Sequence, residues 1–96
     1  MLAACKLAMR ITTTAYDDEI SRLILAAVAD LGIVDVEASK DTTDPILVQA
    51  IITYVRLHFG TPEDADYLAR SYDEQKAQLI SNRAYGLRNY VEVNNT

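Results

Sequence analysis

The sequence predicts an all-α fold: a four-helix domain built around a central buried helix at about residues 44–60, with a C-terminal tail. Three observations predict it. Apolar residues recur at helical spacing in separate stretches of the chain. Those stretches carry capping and stop residues at their ends. Glycine (3) and proline (2) are scarce, and Pro45 and Gly60 mark the two ends of one such stretch.

The central stretch, DPILVQAIITYVRLHFG, opens on Asp44, which caps, and Pro45, whose missing N–H costs nothing in a first turn. Gly60 supplies a left-handed stop. On a helical wheel its apolar residues sweep about two-thirds of the circumference. Only Gln49, Thr53 and Arg56, at i, i+4 and i+7, remain as a polar stripe. A helix so widely apolar needs cover on several sides, and a chain this short is expected to draw part of it from another subunit.

The other helices are arranged around it. Residues 2–10 form a short helix with Leu2, Cys5 and Met9 inward, and residues 11–16 (ITTTAY) suit a cap or an extended link. Asp17, Asp18 and Glu19 open the second helix at the positive end of its dipole. Its core face is Ile20, Leu23, Ile24, Ala27, Val28 and Leu31, and Gly32 ends it. Residues 33–43 have no helical period, and Val34 and Val36 alternate briefly as a strand would. Thr61-Pro62-Glu63-Asp64 is a start signal for the fourth helix, expected to run to about Ser81 with Ala65, Leu68, Ala69, Tyr72, Leu79 and Ile80 inward. Asn82 and Gly86 bracket a turn. The domain is thus expected at 1–86 and an extended or mobile tail at 87–96.

Composition excludes several classes of function. The 96 residues allow one domain with a modest core, and no apolar run approaches the roughly 20 residues of a membrane span. The first ten residues are too short and too interrupted by Lys6 and Arg10 for a signal peptide. One cysteine allows no internal disulfide, which fits a reducing cytoplasm. A net charge of −5 disfavours holding a phosphate backbone. A helix-turn-helix reader fails on the same ground, because residues 62–81 carry five acids against Arg70 and Lys76.

Candidate chemistry is sparse. His58 sits among apolar residues with no second ligand, so packing or a helix-end role fits best. Cys5 lacks a histidine positioned as base and reads as a small core residue. Asp17, Asp18 and Glu19 point in three directions along a helix, without the spacing of a calcium loop. No phosphate loop, catalytic carboxylate pair or nucleophile elbow occurs. The expectation is a non-enzyme with no cofactor, no metal and no catalytic residues.

The order of certain short motifs resembles the phage head–tail connector proteins, small helical adaptors encoded beside portal and capsid genes. Lys6, then RITTT at 10–14, then DDEI at 17–20 is similar to that family's N-terminal half. Asp44-Pro45 through AIITYV at 50–55, with Phe59-Gly60, resembles its third helix; SYDE at 71–74 through Leu79, ending in Ala84-Tyr85-Gly86, resembles its fourth. The resemblance runs from about Lys6 to Gly86 and does not include the tail. It implies a DNA-packaging or head-completion adaptor of a phage or prophage, assembled in the bacterial cytoplasm and resident in the virion neck. Its implied partners are further copies of itself in a ring, the portal protein, and the stopper or tail protein, with DNA only as passing cargo and no membrane.

Independently of the resemblance, Leu25 and Tyr67 fall outside the core stripes and are candidate subunit or partner contacts. Tyr90, Val91 and Val93 in the tail are candidates for portal docking, by adding a strand or filling a groove. An acidic wall suits a conduit through which DNA slides. The rival expectation from the residues alone is a small acidic helical protein-interaction or regulatory domain.

Overall fold

The computed structural model describes residues 1–32 and 44–95, and residues 80 and 82–95 by their backbone alone. Among the described residues there are four helices: α1 (Leu2–Met9), α2 (Asp17–Asp30), α3 (Pro45–His58) and α4 (Ala65–Asn95). The all-α, four-helix expectation is therefore met. The expected Val34/Val36 alternation lies outside the described residues.

α3 is the hub. Among the described residues its backbone packs against α1, α2 and α4, whereas that of α1 packs besides it against α2 alone. Ala50, Ile51 and Val55 are fully buried on α3, against Cys5 from α1 and Ile20 and Ala27 from α2. α4 contributes Leu68, Tyr72 and Leu79 to the buried set. Burying side chains such as Ile51 and Ile20 stabilises by about 1.5–3 kcal/mol each. The three faces that α3 presents explain why so much of its circumference is apolar.

The central helix was expected to draw part of its cover from another subunit; its own chain buries Ala50, Ile51, Thr53 and Val55 and leaves its other large apolar residues half-buried. Ile46, Leu47, Ile52, Tyr54 and Phe59 pack as partly buried residues against the same core. Among the described residues the large apolar side chains that remain exposed are Leu7, Tyr16, Leu25 and Tyr67, none of them on α3. The polar stripe is corrected. Thr53 is buried at 3% exposure, and its hydroxyl donates to the Gln49 carbonyl at 2.9 Å. A threonine satisfied by its own preceding turn can face the core at little cost.

The start of α3 follows its local chemistry. The Asp44 carboxylate accepts from the Ile46 N–H at 3.0 Å, and Pro45 occupies the first turn. Its exit turns at Gly60, with φ +64°. A Cβ built there meets nothing within 4 Å, so only backbone strain opposes substitution. Gly60→Ala is expected to cost about 1 kcal/mol, read as a lower urea midpoint with an unchanged slope.

α4 differs from expectation at both ends. Residues 61–64 form a turn, and the helix begins at Ala65, with the Asp64 carbonyl accepting from the Leu68 N–H at 2.9 Å. At the far end the backbone remains helical past Ser81 and Gly86 to Asn95. The turn expected between Asn82 and Gly86, and the extended tail after it, are replaced by continuous helix. One interior glycine costs about 1 kcal/mol relative to alanine, too little alone to break a helix. At 31 residues α4 is about 46 Å long.

Candidate interaction surface

The expected contact residues occupy separate places. Leu25, on the outer side of α2, is 49% exposed. It borders a groove of about 320 Å³ lined with Met1, Leu2, Ser21 and Ile24. Tyr67 stands on the first turn of α4 at 62% exposure. Among the described residues the backbones of α2 and α4 do not pack together, so Leu25 and Tyr67 form two patches and not one. Tyr90, Val91 and Val93 lie on the last turns of α4, described there by the backbone alone. Sequence periodicity did not single out Leu7 or Tyr16 as exposed. Leu7 is off the Leu2–Cys5–Met9 line of α1, a signal that was present; Tyr16 meets the edge of Phe59 at 5.5 Å.

A second groove, of about 360 Å³, lies where the end of α1 meets the end of α3 and the start of α4. Met9, Ile11, Phe59 and Leu68 give it apolar walls, and Arg10 and Arg56 border it. Arg10 closes α1 in the left-handed conformation (φ 58°), with its N–H on the Leu7 carbonyl and that of Ile11 on the Lys6 carbonyl. Glycine usually occupies that position. Sequence reasoning missed this groove because its walls come from three helices.

Several polar residues inside the fold have structural partners. Lys6 meets Asp17 at 2.7 Å, tying α1 to the first turn of α2. Cys5 is fully buried, and burial pushes its thiol up to about 11, so it stays protonated near neutral pH. His58 ends α3 with its ring 4.2 Å from that of Tyr54, the packing role expected of it. Among the described residues no group of three or more His, Cys, Asp or Glu side chains could hold a metal ion. Nor is any described helix long and apolar enough to cross a membrane.

Asp30 links α2 to α4. The Tyr72 hydroxyl donates to its carboxylate, and Lys76 reaches the same oxygen at 3.2 Å. Tyr72's donation, followed by Lys76 and the more distant His58, holds the Asp30 carboxyl below the usual carboxylate range. Burial, then the Asp30 contact, pushes the Tyr72 phenol well above its ordinary value. A lowered carboxyl stabilises the fold when ionised, so its contribution is present above about pH 4 and lost as pH falls further. A raised phenol stabilises the fold while protonated, so its contribution is present below about pH 10 and lost as pH rises. Tyr72→Phe is expected to cost about 1 kcal/mol at pH 7, since Asp30 is 41% exposed and screened by water. Urea titrations should show the gap between wild type and variant narrowing near pH 2.5. A gap independent of pH would mean that the loss is one of packing alone.

No protein-family model matches this chain, and no curated protein or solved structure matches it either.

Proposed function

We propose that this chain is a structural head–tail connector of a phage or prophage, forming a ring on the portal vertex and extending the DNA channel toward the stopper and tail. The observation that carries the reading is that two of the four exposed large apolar side chains described, Leu25 beside its groove and Tyr67 on α4, stand outside the core stripes of long helices. Both stand on helices whose opposite sides already serve the core, so these outer patches are free to meet other copies. The all-helical architecture and the order of motifs from Lys6 to Gly86 support the same reading. So does the net charge of −5, which would not hold a passing duplex.

The core that α1, α2 and α4 build around Ala50, Ile51 and Val55 also fits a second reading, a self-sufficient acidic helical domain that binds one partner protein. Gene order separates the two cheaply, since a connector should be encoded between capsid and tail genes. The decisive measurement is electron microscopy of this protein mixed with the portal protein encoded beside it. A connector adds a coaxial ring of density to the portal; an unchanged portal at saturating protein sinks the proposal.

A further inference from the structure

We propose that the groove bordered by Arg10 and Arg56 receives Tyr67, with its neighbouring acids Glu63 and Asp66, from a second copy of this chain. The inference rests on the connector reading and names the contact through which its copies meet.

The groove has an unusual charge for this protein. The chain carries 14 acids against nine basic residues, yet Arg10 and Arg56 border this one depression against a single acid, Asp64. Among the described residues Arg10 makes no ion pair. Arg56 reaches Asp64 only at 3.6 Å, with the two side chains 40% and 50% exposed. So open a pair contributes little and exchanges partners readily. A guanidinium stacks on aromatic faces and pairs with carboxylates, so this groove suits an aromatic body with acids beside it.

The same chain presents such a group. Tyr67 is 62% exposed, and Glu63 and Asp66 beside it are exposed acids. Charge complementarity therefore selects a second copy as the occupant. Tyr67 neighbours Leu68 along α4 but is not among the residues that line its own copy's groove. Because groove and occupant are different residues of the chain, the same contact can be repeated from one copy to the next.

Cross-linking tests this without altering Tyr67. Cys5 is fully buried, so a short bis-maleimide reacts at introduced thiols. Ala8→Cys places a thiol in the groove, and Arg70→Cys places one a helical turn from Tyr67; both native residues are exposed. Mixed on the neighbouring portal, the two variants should yield a cross-linked heterodimer. Adding Arg10→Glu to the Ala8→Cys partner should lower the yield about fivefold, for a loss on the order of 1 kcal/mol. Arg10→Gly should lower it as well while keeping or raising the Tm, because glycine adopts φ 58° freely. That variant separates loss of contact from loss of fold.

A yield indifferent to both Arg10 substitutions overturns the inference. If microscopy shows a ring but the pair does not cross-link, the contact is wrong and the connector reading stands. If an Arg10-dependent cross-link forms with no ring on the portal, the contact stands and the connector reading fails. If neither ring nor cross-link appears, both are overturned.

Discussion

Ile51→Ala is expected to destabilise the fold by about 2–5 kcal/mol. Ile51 is fully buried on the helix that touches all three others, so neighbours held from several sides cannot collapse into the space. Part of the loss is transfer free energy, and the rest is the cavity left behind. A domain of this size has about 5–15 kcal/mol of stability in total, so one side chain removes a large share. Urea denaturation followed by far-ultraviolet circular dichroism should show a large fall in midpoint. Gln49→Ala, two residues away on the exposed side of α3, should move it by no more than about 0.5 kcal/mol. Similar effects from the two would mean that α3 is not the enclosed hub.

Truncation after Gly86 is expected to abolish portal binding while leaving the domain folded. The described core residues of α4 end at Leu79, and these stay in place when the later turns are removed. Those turns carry Tyr90, Val91 and Val93, the candidates for portal docking. Because the backbone there is helical, docking would follow the helix-in-groove mode and not the added strand considered from sequence. The truncated chain should keep its Tm within a few degrees and show no retention on immobilised portal. Full retention would reject the docking role for this segment, whatever becomes of the ring.

Much of the fold was legible in the chain itself. Asp44 and Pro45 start α3, Gly60 ends it, and the acids at 17–19 open α2, because caps and dipoles act within a single turn. The inward faces of α1 and α2 followed from spacing: Cys5, Ile20, Ile24, Ala27, Val28 and Leu31 are all buried. Leu25 and Tyr67 fell outside those stripes, and both are exposed. Thr61 and Pro62 misled by three residues, since a turn at Glu63 and Asp64 precedes the helix. Gly86 misled more, because a lone glycine signals a stop only where an alternative path is favoured over continued helix.

The sequence by itself determined where the helices are and which side of α1 and α2 is apolar, since both depend on neighbours three and four residues apart. Only the tertiary structure decided which apolar surfaces find cover. It enclosed α3 completely enough to bury Thr53, and left Leu7 and Tyr16 outside. It also brought Asp30 to Tyr72 across 42 residues of chain and set Arg10 and Arg56 beside one groove. The physical reason is range: periodicity is written into each helix, whereas coverage belongs to pairs of surfaces that meet only after the chain has folded.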